Sequence, residues 1–284
     1  MRNNEDRLGA ANKGAEAPVQ QQPQQAEQTL QFVTPTEFVE LPSRGKFYPQ
    51  GHPLHNTEVI EIRHMTAKDE DILTSAALLK KGLAIDRFLQ NIIVDKSINI
   101  ADLLVGDKNA IIVASRVSGY GPQYEAGISC PSCASSVEFA FDLRECGPVS
   151  HGGYEEIGVR TTDQGTFIIH IDKMDLNVEV RLLTSRDEIH LMQTAEKRRK
   201  KKLPESSLTD QLRRIIVSVN GNSDSMYVSS LIEHMPASDS RQLRSTYQKI
   251  VPNIDMNQDF TCPECDHEGE VNVPFGTNFF WPKQ

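Results

Sequence analysis

Cys262-Pro263-Glu264-Cys265 near the C-terminus, read with its earlier counterpart Cys130-Pro131-Ser132-Cys133, is the stretch from which the fold of this 284-residue chain can be approached. Each is a Cys-x-x-Cys knuckle. Two such knuckles bring four thiolates to the corners of a tetrahedron, the arrangement in which zinc takes soft sulfur ligands. The spacing therefore predicts a structural Zn2+ site with Cys130, Cys133, Cys262 and Cys265 as ligands. The 128 residues between Cys133 and Cys262 exceed the spacing of ordinary fingers and ribbons, and a duplication accounts for that separation.

Repeated sequence around the knuckles points the same way. Residues 61–70 read EIRHMTAKDE and residues 179–188 read EVRLLTSRDE, agreeing in identity or type at eight or more of ten positions. Residues 86–94 (DRFLQNIIV) and 210–217 (DQLRRIIV) match with a one-residue slip, and Asp107 and Asp239 each precede a knuckle by 23 residues. The predicted fold class is α+β. It consists of two tandem duplicated units, each a strand, three helices, a Cys-x-x-Cys knuckle and a strand, related by a pseudo-twofold and pinned by the four-cysteine zinc site.

The expected domain plan is a disordered Gln/Pro-rich tail over 1–36, an ordered docking loop over 37–57, a first repeat over 58–150, and a second repeat with a leading β-hairpin over 151–284. In the first repeat, residues 58–63 alternate as a strand. A helix capped at Thr66 then places Ile72, Leu73, Ala76 and Leu79 on one face and stops at Gly82. A second helix carries Ile85, Phe88, Leu89, Ile92 and Ile93. A third starts at Asp107 as N-cap and buries Ile111, Ala114 and Val117. In the second repeat a strand spans 177–183, and Ser185 to Glu188 forms a capping box. That repeat carries six extra residues, the basic run 197–202 (KRRKKK), and eight more around a long turn at 220–225.

Composition excludes several functions. A net charge of −9 does not favour a general binder of nucleic acid or anionic membrane. Five cysteines, four of them paired in knuckles, suit a reducing compartment and a metal better than a disulfide framework. No apolar run approaches the roughly 18 residues of a membrane span, and the N-terminus lacks a secretory signal core. No phosphate-binding Gly-rich loop, nucleophile elbow, HExxH spacing or Ser/His/Asp set is present, so neither enzymatic activity nor a small-molecule substrate is expected. Two redox pairs, or two separate zinc sites completed by Cys146, His151 or His267, remain alternatives to the shared site. Cys146 otherwise reads as a free thiol.

Two segments are candidates for partner binding. LPSRGKFYP (residues 41–49) offers Arg44, Lys46, Phe47 and Tyr48 in a loop that docks on the protein's own core or on a neighbour's. The aromatic C-terminus offers Phe279, Phe280 and Trp281, docked on its own domain with part of its surface left for assembly.

LPSRGKFYP, the EIRxMTxxDE segment, the Gly106-Asp107 helix start, the CPxC knuckles and the terminal FFWP together resemble the baseplate hub proteins of T4-type contractile-tailed bacteriophages, from about residue 36 to the end. The resemblance implies a non-enzymatic component or assembly catalyst of the tail baseplate hub, with other hub and tail proteins as partners. Its location would be the virion tail baseplate, or the host cytoplasm during assembly. A zinc-ribbon phage protein that binds nucleic acid through residues 197–202 is the alternative, against which the single basic run in an acidic chain argues.

Overall fold

The computed structural model describes residues 33–149, 153–275 and 279–280. Helices and small antiparallel sheets mix along the chain, an α+β arrangement, and the body from Thr34 onward is one contact unit. β1 (Thr36–Glu40) pairs with β2 (Val59–Arg63), and α1 (Ala67–Thr74), α2 (Ala76–Lys81), α3 (Ala84–Ile92) and α4 (Val105–Tyr120) follow. A hairpin of β3 (Gln123–Ser129) and β4 (Ser136–Asp142) carries the first knuckle at its tip. After β5 (Pro148–Val149), the strands β6 (Val159–Thr161), β7 (Phe167–Ile171) and β8 (Leu176–Val180) build a sheet. It is completed across α5 (Ser185–Lys200) and α6 (Ser207–Ile215) by β9 (Ile216–Val219), in the order β6-β7-β8-β9. Then come α7 (Ser225–His234), α8 (Ala237–Ile250) and β10 (Asn253–Ile254), which pairs with β5. The hairpin of β11 (Asn257–Thr261) and β12 (Glu268–Asn272) bears the second knuckle.

Amphipathic spacing accounts for the central elements. Ala84, Phe88, Leu89 and Ile92 fall on one face of α3 and are buried, as are Leu212 and Ile215 on α6. Alternation in β7 and β8 sends Phe167, Ile169, Ile171, Val178 and Val180 into the same core. One contact set recurs in both halves. Arg63 grips Asp69 through two hydrogen bonds of 2.6 and 2.8 Å, and Arg181 grips Asp187 through two of 2.7 and 2.8 Å. Each aspartate also accepts from the N–H and hydroxyl of the threonine three residues before it, Thr66 or Thr184. Ile62 bridges to Ile93 as Val180 pairs with Ile216. Between the halves, Leu104 bridges to Thr184, while Lys108 reaches Asp86 at 2.9 Å and Glu188 at 3.1 Å.

Burial pushes the Asp69 carboxyl up, but Arg63, Thr66 and Asn91 outweigh it and hold the pKa down to about 2. Because the folded-state value lies below the unfolded value of about 3.9, this contribution is fully present above about pH 4. It is lost as pH falls through about 2. In urea titrations across that range, the stability gap between wild type and Asp69→Asn is expected to close on acidification. A pH-independent gap would refute the assignment.

Several local expectations are corrected. The helix expected from Thr66 to Gly82 breaks at Ser75, whose ψ of 106° is extended, leaving Ala76 and Leu79 exposed while Leu73 is buried. Asp107 is not an N-cap. Leu104 holds that position and Asp107 lies inside α4. The second capping box starts at Thr184 with Asp187, one residue earlier than expected. The strand expected over 177–183 ends at Val180. Thr36 to Glu40, assigned to tail and loop, form a strand, while residues 1–32 and His151 lie outside the described residues.

Candidate metal centre

Each knuckle is a tight turn at the tip of a hairpin, closed by the same two backbone hydrogen bonds. Cys130 N–H donates to Ser135 O and Ala134 N–H to Cys130 O, both at 2.9 Å. In the second, Cys262 N–H donates to His267 O at 2.9 Å and Asp266 N–H to Cys262 O at 3.0 Å. Ala134 and Asp266 both adopt left-handed backbone, with φ of 59° and 52°. Beneath the tips, Ile128, Val137, Phe139, Phe260 and Val271 pack together with Cys130 and Cys262, and the Phe139 and Phe260 rings meet edge to face at 5.4 Å. This apolar seam sets one hairpin against the other.

The four sulfurs converge there, all within 4.8 Å of one another. Cys130 Sγ lies 3.8 Å from Cys265 Sγ, and Cys133 Sγ lies 3.8 Å from Cys262 Sγ. Sulfurs bound tetrahedrally about 2.3 Å from zinc stand about 3.8 Å apart, so the set fits such an ion. Cys130 and Cys262 are buried, whereas Cys133 and Cys265 are exposed. Ser135, through its side chain and then its N–H, holds the Cys133 thiol down to about 6. At Cys265 the His267 N–H favours the thiolate, but Cys133, desolvation and the other two thiols outweigh it and push the pKa up to about 12. Four thiolates this close repel one another, and a bound cation removes that penalty.

Cys146 stands apart, half-buried, and accepts a hydrogen bond from Gln258 Nε2 at 3.6 Å. Burial raises its thiol pKa. The four knuckle cysteines make up the cluster able to hold a metal among the described residues, and neither Cys146 nor His267 belongs to it.

The residues expected to meet partners divide. Arg44 and Lys46 are exposed. Tyr48 is not: its hydroxyl donates to Asp107 Oδ2 at 2.8 Å and accepts from the Leu104 N–H at 3.1 Å, inside the core. Phe47 packs on Tyr154 and Phe167. The loop thus docks on its own chain. Gly45 permits this, since a Cβ there would lie 2.3 Å from Thr57 N. Phe279 and Phe280 are buried as well, against Tyr124 and Phe88 respectively, and Trp281 lies outside the described residues. The expected docking of the C-terminal aromatics on their own domain holds for Phe279 and Phe280, and these two rings leave no surface open for assembly.

Arg116, which no sequence motif singled out, anchors this C-terminal segment. Fully buried, it donates to the carbonyls of Phe279 at 2.7 Å, Gly121 at 2.7 Å and Gln123 at 3.0 Å. The available signal was an arginine in the apolar stripe of α4, beside Ile112, Val113 and Val117.

Among the described residues no helix is long and apolar enough to cross a membrane. A family model described as T4 bacteriophage base plate protein matches residues 34–281. No curated protein and no solved structure matches the chain.

Proposed function

We propose a role that proceeds from one premise: this chain belongs to the family of T4 bacteriophage base plate proteins. Its function is that of a non-enzymatic structural or assembly component of the tail baseplate hub, presenting a protein-interaction platform to other hub and tail proteins. The observation that carries the reading is the family match, which spans both knuckles and every described element. The virion tail is its place of action, with the host cytoplasm as the place of assembly.

Within that role, the platform is two copies of one α+β unit whose knuckles share a structural zinc. Matching contacts in the halves support the duplication. The arginine-aspartate grips lie 118 residues apart, and the knuckle hydrogen bonds lie 132 apart. Exchanging the halves turns the Cys130–Cys265 sulfur pair into the Cys262–Cys133 pair, and both separations are 3.8 Å, as a local twofold requires. Cys130, Cys133, Cys262 and Cys265 would hold the zinc, which supplies a fixed cross-link and no reaction. The remaining contribution comes from the chain: the Ile128, Phe139, Phe260 and Val271 seam orients the hairpins, and the Leu104 to Thr184 bridge fixes the halves further down. Arg44 and Lys46 are exposed charged members of the 41–49 loop, available to a neighbour.

Quantitative mass spectrometry of purified mature particles, with infected-cell lysate as reference, tests the role. A fixed small copy number relative to other baseplate proteins is expected for a hub subunit. Abundance in lysate with absence from particles identifies an assembly factor instead. Absence of association with baseplate intermediates as well as particles would overturn the reading.

A further inference from the structure

The C-terminal end of α5 and the start of α6 face α2 across a cleft of about 950 Å³. Leu79, Met192 and Leu203 line it, and each is about half exposed, at 47%, 47% and 50%. Large apolar side chains left half open in one cleft beside charged residues mark a place where something docks. Met192 lies against Gly82, where a Cβ would come within 2.3 Å of its Cε, so a flexible thioether is part of the cleft wall. Methionine adapts to the shape of what it meets.

Charge identifies the occupant. The chain carries a net charge of −9, yet this cleft is lined by five cations, Lys80, Lys81, Arg198, Arg199 and Lys202, against three carboxylates. Arg198 is committed to the wall itself, with Nε 3.5 Å from Asp210 Oδ2 and Nη1 donating to the Pro204 carbonyl at 3.5 Å. The side chains of Lys80, Lys81, Arg199 and Lys202 make no hydrogen bond or ion pair among the described residues. A lining that combines open apolar side chains with an excess of cations complements an amphipathic helix that has one apolar and one acidic face, and such helices bind by laying the apolar face into a groove. Nucleic acid is the poorer match. The lining contains no aromatic ring for base stacking, and Glu196, Glu205 and Asp210 would oppose phosphate.

We propose that the cleft between α2, α5 and α6 is a docking groove for an acidic amphipathic helix of a partner protein. The basic run at residues 197–202 thereby acquires a protein-binding use. This rests on reading the chain as an interaction platform and names where one partner engages it.

Fluorescence anisotropy with the full purified chain tests it. The probes are a labelled amphipathic peptide of about 18 residues with Leu on one face and Glu on the other, its Lys counterpart, and a single-stranded and a duplex DNA of about 20 nucleotides. Eighteen residues make a helix of about 27 Å. The Glu peptide is expected to bind, more weakly as salt rises. Its affinity should fall at least tenfold with Met192→Asp and with the Arg199→Glu/Lys202→Glu pair, and the charge-reversed pair should gain binding to the Lys peptide. Should Met192→Asp fail to fold by circular dichroism, Leu203→Asp probes the same apolar lining. No binding of the Glu peptide, binding indifferent to both sets of variants, or tighter DNA binding lost with the same variants would each overturn the proposal. The particle census reads the baseplate role separately, so either can fail while the other stands.

Discussion

Replacing Cys262 by serine is expected to reduce zinc from about one ion per purified chain to none, and to lower the thermal midpoint by about 10 °C or more. Structural zinc contributes on the order of 10 kcal/mol to small peptide domains. The core here is much larger, so only part of that appears as global stability, and about 5 kcal/mol at about 2–4 °C per kcal/mol gives the stated shift. Cys146→Ser is the matched control. Its thiol is away from the cluster, so zinc content should not change. Chelation should have a graded effect in hydrogen exchange: the β3–β4 and β11–β12 hairpins lose protection first, while α4 and the β7–β8 pair, anchored in the main core, hold. A wild-type chain purified without metal, or a Cys262→Ser protein that melts like wild type, would refute the shared site.

The second large effect is at Asp107. This carboxylate is fully buried and accepts from the Ser43 N–H at 2.9 Å, the Ser43 hydroxyl at 2.6 Å and the Tyr48 hydroxyl at 2.8 Å, tying the 41–49 loop to α4. Burial raises its pKa even though all three donors favour the charged form. Asp107→Ala leaves those donors unpaired in the core, at a cost of about 3–5 kcal/mol. A fall of about 10 °C in the thermal midpoint should follow, with release of the loop read as faster proteolysis within residues 41–57. Asp239, at the matching distance before the second knuckle, is buried too, but it accepts from the Met174 N–H at 3.0 Å and more distantly from Ser238. Asp239→Ala should therefore cost about 1 kcal/mol. Equal losses at the two positions would show that the loop contacts do not carry the difference.

Much of the architecture was legible locally. The Cys-x-x-Cys spacing, the repeated EIRxMTxxDE and EVRxxTxxDE segments, the apolar faces of α3 and α6, and the left-handed stop at Gly82 all depend on residues within a turn or two of one another. Physical chemistry at that range acts through helix and strand periodicity, capping and backbone sterics, which a single chain displays directly. The basic run at 197–202 likewise falls at the end of α5, where cations meet the negative pole of the helix.

What packing decided could not be seen this way. Ser75 is a modest helix former and no breaker, so nothing local ends α1 there; α1 instead packs on α3 with Asp69 held by Arg63 and Asn91. Asp107 looked like a cap because its competing donors, Ser43 and Tyr48, are 64 and 59 residues away in sequence. Phe279 and Phe280 were expected to dock with part of their surface left for partners, yet both are buried, and Arg116 draws the Phe279 carbonyl against α4 from 163 residues away. Sequence alone determined the amphipathic faces of α3 and α6, the Gly82 stop and which thiols are suited to a metal. Tertiary structure decided which polar groups are buried together and which aromatic rings remain outside, because those outcomes depend on desolvation by distant segments of the chain.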